Sequence, residues 1–394
     1  MKMLKWKETA QLLAAVALVT TSLAAPTASA RTKANAQAIE AGKLIESRPL
    51  AAELSLEGAA QAFAIRYGST DGVTGSGSVT VTGALFIPNG TPPAGGWPVV
   101  AWAHGTVGIG DGCAPSRNPR SPRDRTYLDH WLSEGYAVVA TDYQGLGSPG
   151  PHPYMNSRMA AYSTLDSIRA ALTGDFGLAN KVLLVGQSQG GGAAFATAGY
   201  AADYAPDINV RGTIATGLPN LAAAASASGG DGDKVDRMIG YLLYIASVAQ
   251  QLDPKNDPRA VLTDRAMAVF DQAEQLCVMD MFGKAVEAGL TRNNSFKSNF
   301  WSHYASMTTH AGYPTLKIAA PVFVGTGADD VDTPYAMQKT LVDGACKAGS
   351  TVEWRVYPGQ DHGGAVNRSF LDSRVFAARV MAGEAIAGSC PIAK

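Results

Sequence analysis

Closely spaced cysteine pairs are missing from this chain. Its 394 residues hold four cysteines, Cys113, Cys277, Cys346 and Cys390, and none stands in a C-x-x-C pair. That spacing argues against a zinc ribbon or a thioredoxin-like redox motif. Among six histidines, His104 has no second ligand at metal spacing, so no metal site is expected. A basic stripe is also lacking. Lys and Arg number 32 against 33 Asp and Glu, for a net charge of −1, so no nucleic-acid partner is expected. The run GQSQGGG lacks the G-K-[ST] ending of a phosphate loop. There is no internal repeat and no low-complexity tract. What remains is a chain with 46% hydrophobic and 16% charged residues, able to bury a sizeable core.

Long apolar runs are scarce too. LLAAVALVTTSLAA follows the lysine-rich start MKMLKWK and is short for a bilayer span. A small-residue site ending at Ala30 comes next. This is the layout of a secretory signal peptide, so residues 1–30 are expected to be cleaved and the protein to be secreted or periplasmic. No cysteine closely follows the run, which argues against a lipid anchor. An even cysteine count in an exported chain implies two disulfides. Three pairings are open.

Residues 31 to about 60 are alanine-rich and read as an N-terminal helix or arm. Strands and helices then alternate. QAFAIRYG, GSVTVTGALFIP, GWPVVAWAHG, YAVVATDYQG, KVLLVG and VRGTIATG read as strands, with helical stretches such as RTYLDHWLSEG and GGAAFATAGYAADY between them. That rhythm predicts an α/β fold, a mostly parallel sheet covered on both faces by helices. It breaks over 218–318, where IGYLLYIASVAQQL and TDRAMAVFDQAEQLCVMDMFGKAVEAG have helical apolar spacing. The expected organisation is a core over 31–217 and 319–394 with a helical cap over 218–318 between late strands. After the cap come strand APVFVGTG, helix YAMQKTLVDGACKAG, strand TVEWRVYPG and a last helix from about 369 to 387.

Gly186-Gln187-Ser188-Gln189-Gly190 matches G-x-S-x-G between a strand and a helix. Such a turn is sharp and strained, and it lifts the Ser188 hydroxyl above the sheet edge. A serine needs a base to become a nucleophile. Of the six histidines, only His303, His310 and His362 follow Ser188, and the first two fall in or near the cap. His362, in the loop YPGQDHGG after the last strand, is therefore the expected general base. The acid should follow the preceding strand, where Asp329, Asp330 and Asp332 compete and spacing does not choose. The backbone N–H groups of Gln189 and of Thr106, in AWAHGTVG, are the expected oxyanion donors. His104 then supports its loop, and Asp142 is structural.

These residues resemble the α/β-hydrolase superfamily and, within it, the secretory lipase family of the Candida lipase A type. The resemblance spans about 60 to 390 and rests on WAHGTVG, DYQGLGSPGPHPY, GQSQGGG, GTGADDVDTP, GACKAG and YPGQDHGG together. It implies a helical cap between the same two late strands. It implies disulfides Cys113 with Cys277 and Cys346 with Cys390. The family's acid stands four residues before a proline, which implies Asp330 before Pro334; the doubled Asp329-Asp330 departs from the pattern. It also implies ester hydrolysis without a metal or organic cofactor.

The expected function is that of a secreted serine ester hydrolase, lipase or carboxylesterase, acting on a small-molecule or lipid ester with transient contact to a lipid interface and no obligate protein partner. The apolar run around Leu242 and Leu243 is expected to line the acyl site. The alternatives are a serine peptidase or amidase of the same fold, and a non-catalytic binding protein on a hydrolase scaffold.

Overall fold

Nine stretches of apolar and β-branched residues pair into one sheet. The computed structural model describes residues 39–226 and 232–390, so the expected leader at 1–30 lies outside the described residues. The strands are β1 (Leu44–Pro49), β2 (Ala59–Thr70), β3 (Ser78–Pro88), β4 (Trp97–Ala103), β5 (Ala137–Thr141), β6 (Leu178–Gln187), β7 (Val210–Thr216), β8 (Val322–Gly327) and β9 (Val352–Tyr357). Their order is β1-β2-β3-β5-β4-β6-β7-β8-β9. The first three meet antiparallel and β3 meets β5 antiparallel; every pair from β5 onward is parallel.

The central strands carry apolar residues at successive positions, such as Val182–Val185 and Val99–Ala103, because both faces are covered there. Val99, Ala101, Val182 and Leu184 face one core with Leu165, Ile168 and Phe195. These come from helices α2 (Ser157–Thr173) and α3 (Gln189–Tyr204), which follow α1 (Pro122–Ser133) in the chain. Val100, Trp102, Leu183 and Val185 face the other core with Leu128 and Trp131 of α1 and with Phe370 and Phe376. Each Val, Leu, Ile or Phe side chain among them stabilises the fold by about 1.5–3 kcal/mol on burial.

Between β7 and β8 lie α4 (Leu221–Ser226), α5 (Ile239–Leu252), α6 (Asp264–Phe270), α7 (Val278–Glu287), α8 (Arg292–Ser295), α9 (Phe300–His303) and α10 (Ser306–His310). This inserted segment has its own core, including Ile239, Leu243, Val248, Met281 and Phe300. The chain closes with α11 (Tyr335–Lys347) and α12 (Gly364–Ala382).

Two local expectations need correction. Within the stretch 31 to about 60, expected as a helix or arm, Leu44–Pro49 is an edge strand on β2. Pro49 cannot continue a helix, and β2 offers free backbone partners there. The last helix begins at Gly364, not near 369, because Asp361 Oδ1 accepts from the N–H groups of Gly363 and Gly364 at 3.1 and 2.7 Å and caps its first turn.

A parallel sheet sends the loops after β4, β6, β8 and β9 out of one edge. Those loops carry Thr106, Ser188, Asp330 and His362.

Candidate active site

Ser188 stands between the end of β6 and the start of α3 with φ +58° and ψ −125°. Non-glycine residues rarely adopt positive φ, and such strain costs of order 1–3 kcal/mol. Neighbours hold it. Its N–H donates to Thr216 O at 2.9 Å, and its carbonyl accepts from Gly192 N–H at 3.1 Å. Glycine is required on both sides: a Cβ on Gly186 would lie 2.0 Å from Gly190 O, and one on Gly190 would lie 1.9 Å from Ala103 O. The first N–H groups of α3 have no partner within the helix, so its N-terminus favours negative charge beside Ser188.

Of the three candidate acids, the structure brings Asp330 to His362. Asp330 Oδ2 lies 2.8 Å from His362 Nδ1. The same oxygen accepts from Thr333 Oγ1 at 2.9 Å and from Gln338 Nε2 at 3.2 Å. Oδ1 accepts from the N–H groups of Asp332 and Thr333 at 2.9 and 2.8 Å. Burial pushes this carboxyl up. Hydrogen bonds and charge from His362, with the Thr333 donors, outweigh it and hold Asp330 below its ordinary value. Asp329 is exposed, and Asp332 pairs with Arg237.

With Nδ1–H donated to Asp330, His362 presents Nε2 as an acceptor, and this atom is buried without a hydrogen-bond partner. The ring packs on Gly217, where a Cβ would lie 2.7 Å from Cε1. One short turn after β7 thus meets both groups, Thr216 holding Ser188 and Gly217 seating His362. His303 and His310 belong to α9 and α10 of the inserted segment, and His310 lies 3.1 Å from Asn156 Nδ2 and 3.2 Å from Tyr154 O.

The loop after β4 comes equally close. A Cβ on Gly105 would lie 2.6 Å from Gln187 Oε1 and 3.4 Å from Ser188 Cβ. His104 is buried behind this loop, with Nδ1 2.7 Å from Gly105 O, and burial pushes its pKa down. Asp142 is fully buried and accepts from Thr82 Oγ1 at 2.8 Å and Ser116 N–H at 2.9 Å. Thr106 Oγ1 lies 2.8 Å from Tyr154 Oη. Further along, Cys113 is bonded to Cys277, and Val278 N–H donates to Val107 O at 2.8 Å. Cys346 is bonded to Cys390.

A cavity of about 240 Å³ opens over Ser188, Gln189 and Thr106. Tyr241, Leu242 and Ile245 of α5, Leu221 and Trp301 supply much of its apolar wall. Leu242 lines it, whereas Leu243 is fully buried in the core of the inserted segment, so only one of the two expected leucines reaches the site. A larger cleft of about 710 Å³, beside Asn156, Tyr200 and His310, touches none of Ser188, Asp330 and His362. No cluster of three or more His, Cys, Asp or Glu able to hold a metal exists among the described residues.

A profile of the family described as "Secretory lipase" matches residues 121–363, more than half of the chain and including Ser188, Asp330 and His362. The chain belongs to the secretory lipase family. It is 25% identical over 280 residues to a secreted triacylglycerol lipase of Malassezia globosa, a match covering 64% of this chain and 56% of that protein. A secreted triacylglycerol lipase of Malassezia furfur is 26% identical over 267 residues, covering 64% of this chain and 48% of that one. The chain spans about half the length of these two relatives. In fold, this secretory lipase family member matches the X-ray structure of Candida antarctica lipase A with a TM-score of 0.73 at 21% identity, over 90% of this chain and 86% of that chain. It matches the rice cell wall degrading esterase LipA of Xanthomonas oryzae with a TM-score of 0.67 at 22% identity, over 86% and 98% of the two chains. The fold is that of the α/β-hydrolases.

Several groups around this candidate site escape motif reading. Thr333 and Gln338 complete the shell of Asp330, and Gly217 seats His362. Thr333-Pro334 carries the signal of a turn before a helix. Gly217 and Gln338 carry no local signal, because their partners are distant in the chain.

Proposed function

We propose that this secretory lipase family member is a secreted serine hydrolase of apolar carboxylic esters. The observation that carries this reading is the Asp330–His362 pair at 2.8 Å, linked through the Thr216–Gly217 turn to a strained Ser188 that opens onto an apolar cavity. Ser188 attacks the ester carbonyl while His362 Nε2 takes its proton. Asp330 holds the ring tautomer and stabilises the imidazolium. The N–H groups of Thr106 and Gln189 receive the oxyanion. His362 returns the proton to the departing alcohol, and water then releases the acid from the acyl-enzyme by the same route.

The inserted segment acts as the cap, and α5 supplies apolar surface for the acyl chain. The names of the Malassezia relatives support a lipid ester as substrate and a secreted location. Among the described residues no helix is long and apolar enough to cross a membrane. A peptidase that captures a free α-amine needs an available carboxylate in its site. Among the described residues lining the cavity, the one acidic residue, Asp332, is already paired with Arg237.

The test is hydrolysis of p-nitrophenyl esters of increasing acyl length, beside an aminoacyl anilide. Esters should be cleaved and the anilide spared. Ser188→Ala should lower turnover by ~10⁴-fold or more and abolish fluorophosphonate labelling. Persistent labelling of the variant, or preference for the anilide, would overturn the reading.

A further inference from the structure

Thr106 offers a hydroxyl as well as a backbone N–H. Its Oγ1 lies 2.8 Å from Tyr154 Oη, and both residues line the cavity onto which Ser188 and Gln189 open. Each hydroxyl carries one proton. One proton makes the contact; the other stays free.

Chemistry decides which. A phenol is a far stronger acid than an aliphatic alcohol, so it is the better donor, and the threonine oxygen is the better acceptor. Tyr154 is also held rigidly. It is buried, and its ring packs edge-on against Tyr244 of α5, with centroids 5.9 Å apart. Tyr154 therefore donates to Thr106, and the Thr106 proton is left to turn into the cavity. A hydroxyl that accepts one hydrogen bond is polarised to donate another more strongly.

We propose that the Thr106 hydroxyl is a third oxyanion donor and that Tyr154 is the positioning residue that orients it. The inference rests on the ester-hydrolase reading. As Ser188 Oγ bonds to the carbonyl carbon, its proton passes to His362 Nε2 and the C=O π pair moves onto oxygen. That oxygen accepts from the N–H groups of Thr106 and Gln189 and from the Thr106 O–H. Neither Thr106 nor Tyr154 gives up its proton. When the tetrahedral centre collapses, the alcohol leaves with the proton from His362.

The experiment compares Thr106→Val, Thr106→Ser and Tyr154→Phe in the full protein. Steady-state kinetics on p-nitrophenyl butyrate are read beside inhibition by an alkylboronic acid that forms a tetrahedral adduct on Ser188. Thr106→Val should lower kcat by ~10²-fold with KM near the parent value, the cost of one oxyanion donor. Boronate affinity should fall in step, because only binding that strengthens in the transition state accelerates the reaction. Thr106→Ser keeps the hydroxyl and should keep both values near the parent. Tyr154→Phe should lower kcat by about 3- to 10-fold, one hydrogen bond's worth. If Thr106→Val does not fold, Thr106→Ser and Tyr154→Phe still decide. Undiminished kcat and boronate affinity in Thr106→Val, equal loss in Val and Ser, or unaltered boronate affinity in Tyr154→Phe would overturn the proposal. A parent that hydrolyses esters while Thr106→Val is unimpaired sinks this inference alone; a parent with no esterase activity sinks both.

Discussion

Replacing Gly217 with alanine tests how closely the His362 ring is seated. Gly217 has φ +58°, where an L-residue costs ~1–2 kcal/mol. The added Cβ would also stand 2.7 Å from His362 Cε1 and 2.9 Å from Nδ1. Carbon atoms prefer a separation near 3.5–4.0 Å, so the ring must retreat by about 1 Å. It cannot do so and keep Nδ1 at 2.8 Å from Asp330. A misplacement of ~1 Å costs ~10²-fold in rate. The backbone strain alone lowers the unfolding midpoint by only a few degrees. Gly217→Ala should therefore fold at room temperature yet lose ~10²-fold in kcat. Measuring kcat on p-nitrophenyl butyrate beside thermal unfolding separates the two effects. Gly217→Asn is the control, because asparagine tolerates the left-handed region better but still brings a Cβ. It should recover part of the stability and none of the rate. A Gly217→Ala enzyme with undiminished kcat would refute the seating argument, as would recovery of kcat in Gly217→Asn.

Asp330→Asn should cost ~10⁴-fold in kcat through loss of tautomer control, while Asp329→Asn stays near the parent; the reverse ranking would move the acid by one residue. Because Asp330 is held below its ordinary value, its contribution to stability is complete above ~pH 4 and is lost as pH falls through the lowered folded pKa. Acid-unfolding curves of Asp330→Asn should lack that increment, and a curve matching the parent's would contradict it. Leu242→Asp should lower kcat/KM on longer acyl esters and spare acetyl esters, whereas Leu243→Asp buries a carboxylate in a closed core and should block folding; an unchanged acyl-length profile in Leu242→Asp would separate α5 from the substrate. Replacing Cys113 and Cys277 together by serine should cost about 2–4 kcal/mol in denaturant unfolding and lower kcat through the Thr106 loop, whereas loss of Cys346 and Cys390 should leave kcat unchanged. Equal kcat in the two double variants would show that the tether does not shape the site.

The alternation of apolar runs and helical patterns was enough to find the sheet, since fully buried stretches such as VLLVG have few other places to go. The elbow position of Ser188 was legible because such a turn needs glycine at fixed offsets, and the candidacy of His362 because chain order left no competitor outside the inserted segment. The acid was ambiguous for a physical reason. Asp329, Asp330 and Asp332 differ only in which way their loop turns them, and that is set by Thr333 and Gln338 from one side and His362 from another. The start of α12 was misplaced because glycines at 363 and 364 look like loop until Asp361 caps them. The edge strand at 44–49 was missed because only its backbone is recruited, by pairing with β2, and five of its six side chains remain exposed.

Cys113 and Cys277 are 164 positions apart, yet they stitch the loop after β4 to the start of α7. The inserted segment is therefore joined covalently to the sheet domain at three places: where it leaves the sheet after β7, where it returns before β8, and at this seam. A flap hinged only at its two ends could swing clear of Ser188. One fastened at a third point has less freedom to do so. The same seam sets the unit of exchange for engineering. Swapping in a foreign segment at 218–318 would orphan the Cys113 thiol in the loop after β4 and remove the Val278 clasp, so a chimera should transplant the 105–113 loop with it.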